Sequence, residues 1–295
     1  MKRLFTYNIK TDEQNKTVEE FLRGRGFSHR LVVHLRDTAM GLSLNGAPVF
    51  TNHKLTAGDT LKALLIEDTP SRNIVPADLP LHIVYEDEDI LVINKDAGVP
   101  VHPSQGHFEN TLANAVAWYY SQKNEPFVFR AISRLDRDTT GLLLLAKHML
   151  SACVLSQQMA KRQIRREYRA IVCGCTEEAG TINAPIGRTD GSTIERQVDF
   201  SHGESACTHY RRLSYNPDLN LSCLSLKLDT GRTHQIRVHM SYIGHPLPGD
   251  FLYCPDYRYI DRQPLHSFCL SFTHPVTGDP MEFTAPLPKD MECLL

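Results

Sequence analysis

Five apolar residues in succession, Leu142-Leu143-Leu144-Leu145-Ala146, follow Gly141 and must leave water together. A run this short, introduced by glycine, reads as a buried strand. The segment in front of it, Ser133-Arg134-Leu135-Asp136-Arg137-Asp138-Thr139-Thr140, has two arginines, two acids and two threonines. A solvated loop could share that composition. This one leads directly into the core, and charged residues on a loop braced by a rigid strand are well placed for chemistry.

The 295 residues leave room for two domains. With 41% hydrophobic and 22% charged residues, the chain has the make-up of a soluble globular protein. No apolar run approaches the roughly 20 residues of a membrane span. Met1-Lys2-Arg3 is not followed by a secretory apolar segment, so a cytoplasmic protein is expected. The eight cysteines are scattered, with no Cys-x-x-Cys pair, and read as free thiols. Charge is uneven. Residues 1–66 hold ten basic and six acidic residues, and residues 130–169 hold nine basic and three acidic ones. Two basic patches on a chain of net charge −2 suggest local contact with a polyanion, or simply solvated faces.

Residues 1–67 read as a small unit. Thr17-Val18-Glu19-Glu20 is a capping box for a helix with Val18, Phe21 and Leu22 on one face, ended by Gly24 and Gly26. Ser28 caps a second helix reaching Leu35. Asn45-Gly46 marks a hairpin and Gly58-Asp59 a turn. Residues 68–80, with Pro70, Pro76 and Pro80, read as a linker that lets the small unit move independently. Residues 81–295 form the larger unit. It has a hairpin at Ile83–Ile93, helices at Leu112–Tyr120, Leu150–Arg162 and His234–Ile243, and strands at Tyr168–Cys173, His209–Leu213 and Leu224–Leu228. Most connections are too short for parallel crossovers. The expectation is α+β: a large domain with a mainly antiparallel mixed sheet flanked by helices, plus a small α+β unit.

Four texts carry a resemblance. They are Asn94-Lys95-Asp96-Ala97-Gly98-Val99-Pro100-Val101-His102-Pro103; the loop from Ser133 to Gly141; Arg166-Glu167-Tyr168-Arg169-Ala170; and Thr230-Gly231-Arg232-Thr233-His234-Gln235-Ile236-Arg237-Val238-His239 with Gly244-His245-Pro246-Leu247 and Gly249-Asp250. In this order they resemble the RluA-like family of RNA pseudouridine synthases over residues 81–288. Leu22-Arg23, Gly26, Ser28-His29-Arg30, Val33, Gly41, Asn45-Gly46, Leu55 and Gly58-Asp59-Thr60-Leu61 resemble the alpha-L RNA-binding domain of a ribosomal protein. The first resemblance implies an isomerase that detaches uracil from its ribose in RNA, turns it, and rejoins it through carbon. It implies Asp136 as catalytic aspartate, Tyr168 as pocket tyrosine and Arg237 as the aspartate's partner. It also implies structured RNA as substrate, and the attached small unit favours ribosomal over transfer RNA. The reaction needs no redox or external group, so no cofactor is expected, and a monomer without metal is expected.

The chemistry of these residue types agrees. A carboxylate can attack a sugar carbon or move a proton. A planar guanidinium keeps a carboxylate ionised and oriented. A tyrosine offers a flat face for the base. The base must leave its stack, and Arg134 could fill the gap; its bland alternative is a loop salt bridge. Arg165, Arg166, Arg232 and His234, and Arg30 in the small unit, are candidates for RNA contact. Asp138 reads as a turn residue. His234, His239 and His245 lack zinc-pair spacing, so capping or packing is expected of them. Asn94, Lys95 and His102 shape the pocket wall or touch RNA. Against the family's pattern, Ser133 stands where histidine is usual, Asp96 where proline is usual, and Tyr-Gly after Asp250 is displaced into Leu252-Tyr253-Cys254-Pro255. The competing functions are a non-catalytic RNA-binding assembly factor and a glycoside hydrolase pairing Asp136 with Asp138.

Overall fold

The computed structural model describes residues 1–71, 73–104 and 106–295. Its first part runs β1 (Lys2–Asn8), α1 (Val18–Gly24), α2 (His29–Asp37), β2 (Leu42–Leu44), β3 (Ala47–Pro48) and β4 (Thr60–Ile66). The strands form an antiparallel sheet in the order β1-β4-β2-β3. The Thr17 hydroxyl accepts from the Glu20 amide and the Glu20 carboxylate from the Thr17 amide, so both orphan donors at the start of α1 are satisfied. Ser28 does the same for Leu31 at the start of α2.

This small unit is docked, not free. Leu150 belongs to its apolar core, and Met149, Val154 and Val276 pack on it. Arg3 donates to both oxygens of Asp89, at 2.8 and 3.1 Å, and pairs with Glu88. Arg130 pairs with Glu67. The segment between the units is also tied down. Asn114 donates to the Val75 carbonyl and accepts at its own carbonyl from the Ala77 amide, and the Ser71 amide donates to the Phe127 carbonyl. Apolar surface and charge on both units meet there.

The larger part continues with β5 (Ile83–Glu86), β6 (Ile90–Lys95), α3 (Leu112–Gln122), β7 (Thr140–Ala146), α4 (Met149–Ala160) and β8 (Arg165–Cys173). Next come β9 (Ala179–Asn183), β10 (Ile186–Arg188), β11 (Arg196–Val198), β12 (Cys207–Asn216), β13 (Leu221–Leu228), α5 (Gln235–Tyr242), β14 (Leu265–Thr273), β15 (Pro280–Thr284) and α6 (Lys289–Glu292). The main sheet has the order β5-β6-β7-β14-β8-β13-β12-β9, with β15 also on β14. Its pairings are antiparallel except β7 with β14, which is parallel.

β7 explains the apolar run. Leu143 and Leu145 face one core, with residues of α3 and α5, while Leu142, Leu144 and Ala146 face a second, with Leu155 of α4. A strand covered on both faces reads as continuous apolar sequence, not as alternation. All eight cysteines are unpaired.

Candidate active site

The loop before β7 is held from three sides. Leu135 is buried in the same core as Tyr168, Ile236 and Met240. Lys95, at the end of β6, is buried, and its Nζ donates to the carbonyls of Asp96, Val99 and Arg137 at 2.8, 2.9 and 2.7 Å. Burial pushes the Lys95 ammonium down to about 7, opposed by the Asp138 and Asp136 carboxylates. Three carbonyl acceptors use all three N–H bonds of the charged form. Arg262, paired with Asp290, donates to the Asp138 carbonyl at 3.2 Å. The exit of the loop is fixed by Gly141, at φ +103°. A Cβ there would lie 2.3 Å from the Ser267 carbonyl oxygen of β14, so only glycine lets the two strands lie this close at that point.

Held this way, the Asp136 carboxylate is about a quarter exposed, at 27%, and meets Arg237. Arg237 is on α5 and fully buried. Its Nη1 donates to Asp136 Oδ2 at 3.0 Å. Its Nε and Nη2 donate to the two oxygens of Asp250 at 2.6 and 2.7 Å. Burial works against the charge on Arg237, but Asp250 and Asp136 outweigh it and hold its pKa above the usual value. The bidentate pair with Asp250 fixes the plane of the guanidinium. The third nitrogen is thereby aimed at Asp136. Asp250 also accepts from the amides of Leu252 and Tyr253. Its own position needs Gly249, at φ +69°, where a Cβ would stand 2.4 Å from the Ile260 carbonyl oxygen.

Tyr168, on β8, is buried and lines the same cleft, a space of about 1360 Å³. Phe251 and Tyr253 lie against the Arg237 guanidinium, with ring centroids 5.5 and 5.1 Å away. Arg134 is exposed on the cleft wall. Among the described residues it has no ion pair, so the loop salt bridge that served as its bland alternative is absent. Arg165 and Arg166 line the cleft beside Tyr168. Arg232 also borders it, but is engaged by Glu204 and the Ser205 carbonyl. His234, in the left-handed region at φ 57°, shares a hydrogen bond with the Tyr253 hydroxyl at 3.1 Å. Arg30 is exposed on α2 of the small unit, outside the cleft. Asp138 is paired with its neighbour Arg137. His239 and His245 pack against backbone carbonyls and a threonine. His102 lines the cleft, edge-on to Phe129.

Residues 89–242 match the family model described as RNA pseudouridylate synthase. The protein named uncharacterized RNA pseudouridine synthase YjbO, of Bacillus subtilis, is 41% identical over 280 residues, 95% of this chain and 98% of its own.

The chain belongs to the RNA pseudouridine synthase family.

The synthase is also 44% identical over 229 residues to the ribosomal large subunit pseudouridine synthase D of Vibrio cholerae, covering 72% of this chain and 69% of that one. Among solved structures, human RNA pseudouridylate synthase domain containing 1 superposes with a TM-score of 0.60 at 28% identity, over 71% of this chain and 84% of that one. The synthase is accordingly an isomerase acting on RNA. For two members of its site, Asp250 and Lys95, the sequence does not indicate the contacts they make. Asp250 stood in a quoted text with no partner assigned, and its signal was its place directly after a glycine in that text. Lys95 was given a wall or RNA contact. A lysine closing the apolar strand Ile90–Ile93 was the available sign that it would be buried.

Proposed function

We propose that the synthase converts uridine to pseudouridine in large-subunit ribosomal RNA, with Asp136 as the catalytic carboxylate, Arg237 as its partner and Tyr168 as the face against the base. The carrying observation is the Asp136–Arg237–Asp250 chain of hydrogen bonds at the floor of a cleft rimmed by arginines. Arg237 holds Oδ2 of Asp136, and among the described residues no partner is recorded for Oδ1. That oxygen is the one offered to the ribose. The reaction breaks the bond from C1′ to N1 and forms one from C1′ to C5, with the C5 proton lost and N1 protonated. Redox equivalents and a second substrate are not consumed. Asp136 serves either by bonding to C1′ or by taking the C2′ proton, and a primary isotope effect with C2′-deuterated RNA marks the second route. Arg134 enters the gap left by the flipped base, and Arg165 and Arg166 bind flanking phosphates.

Relatives named for the ribosomal large subunit support that substrate. Arg30 and its neighbours on the small unit supply a second, electrostatic contact to the same RNA. This reading takes the synthase to work in the cytoplasm. The intact trio argues against a non-catalytic assembly factor. The pairing of Asp138 with Arg137 argues against two cooperating acids. The test is to map pseudouridine in RNA from cells lacking the protein, then restore wild type or Asp136→Asn. A large-subunit position that returns only with wild type is expected. A change confined to transfer RNA reassigns the substrate, and no change at any position overturns the proposal.

A further inference from the structure

Cys207, His209 and Asp229 gather their ligating atoms at the end of β12 and β13, where nothing in the isomerisation uses them. Cys207 and His209 are two apart on one strand and so share a face. The β12–β13 register sets Thr208 opposite Leu228, and the Asp229 amide donates to the Cys207 carbonyl, so the acid lies against both. His209 Nε2 is 3.1 Å from Asp229 Oδ2 and 3.6 Å from Cys207 Sγ. A tetrahedral zinc ion with Zn–S about 2.3 Å and Zn–N or Zn–O about 2.0–2.1 Å needs ligand separations of about 3.5 Å for S···N and about 3.3 Å for N···O. The two separations that involve His209 are already near those values, and the Cys207 sulfur and the Asp229 carboxylate lie within 4.8 Å of each other.

We propose that these residues form a zinc site, with water in the fourth position. The mixed thiolate, imidazole and carboxylate set suits zinc and not the hard cations magnesium or calcium. The other histidine nitrogen is supported as a metal ligand's should be. Nδ1 of His209 lies 2.9 Å from the hydroxyl of Thr181, on β9, which as acceptor leaves the Nε2 lone pair for the ion. Zinc is held by the thiolate, so the Cys207 thiol proton leaves to solvent as the sulfur–zinc bond forms. The site also adjoins the cleft. Thr230 accepts from the Cys207 amide and donates to Gln235 Oε1, and Gln235 Nε2 donates back to the Cys207 carbonyl. The ion therefore braces the segment that leads into α5 and Arg237.

The test uses the full chain, stripped with chelator and titrated with zinc against a chromophoric competitor, and separately loaded with cobalt(II). One ion per chain is expected, with a thiolate-to-cobalt charge-transfer band. Thr181→Val should weaken binding about 10- to 100-fold, as loss of an outer-shell partner does, and Cys207→Ala and His209→Gln should weaken it further and remove the band. Cys175→Ser and Cys293→Ser, at exposed thiols elsewhere, should leave both unchanged. Zinc should raise the melting temperature of wild type but not of Cys207→Ala, whose metal-free melting should match wild type. Absence of the band in wild type, or zinc binding by Cys207→Ala as tight as wild type, overturns the site.

Discussion

Arg237 divides its donors between two carboxylates of unequal exposure, and that division sets what substitutions should do. Arg237→Lys keeps the charge but cannot make the fork to Asp250 and reach Asp136 together. Its single-turnover rate should fall roughly 10²–10³-fold, the loss typical of one oriented donor, with RNA affinity little changed. A rate near wild type would refute the positioning role. Asp250→Asn leaves a buried guanidinium half-compensated and should lower unfolding free energy by roughly 3 kcal/mol, read from urea denaturation. Lys95→Met removes the donor shared by three carbonyls and lets the loop shift; a misplacement of about 1 Å should cost on the order of 10²-fold in single-turnover rate. A rate unchanged in Lys95→Met would remove Lys95 from that role. Asp136, Tyr168 and Arg237 were legible only because their flanking texts form a recognisable set. Without those texts, an arginine on a short helix reads as a surface ion-pair residue and a tyrosine opening an apolar strand reads as core. Asp250 and Lys95 act through other residues, and their contacts are made by the fold, so a linear text does not display them.

At the scale of elements, the parallel pairing of β7 and β14 at Gly141 is the least forgiving contact. Gly141→Ala forces a side chain into the Ser267 carbonyl at a positive φ and should cost roughly 3 kcal/mol or more, measured by urea midpoint. Gly46→Ala, also at positive φ but with open space around it, should cost only about 1–2 kcal/mol. Comparable losses from the two would show that the close approach of the strands is not the cause. Helices α1 and α2, with their caps, and the strand after Gly141 were readable from local sequence. β1 was not, because Phe5 is its one buried residue, with Lys2 and Arg3 before it and the polar Thr6 and Asn8 after it. β14 was not either, because its buried positions include His266 and Ser267, whose polarity hides a central strand. The single parallel pairing joins residues far apart in sequence and leaves no local sign.

Across the whole molecule, Asp89 connects the two units through Arg3 and His148. Burial raises its pKa, but His148 and Arg3 win and hold it down to about 2. A carboxyl depressed in the folded state adds stability that is present above its unfolded value near 3.8 and lost as pH falls toward 2. The contribution is on the order of 2 kcal/mol. Asp89→Asn should therefore melt lower at neutral pH and show a shallower loss of stability between those two values, while an unchanged acid profile would refute the linkage. Docking also predicts slow proteolysis of the segment between the units, against the rapid cutting of a free tether. Thr140 on β7 bonds to His266 on β14, 126 positions later. A ribosome making this chain emits the Asp136 loop long before the strand that must lie beside it. Until the last part of the chain emerges, β7 has an open edge of leucines and the loop has no fixed exit. Activity thus arrives late in synthesis, and nascent chains stalled before β14 are the species most exposed to aggregation.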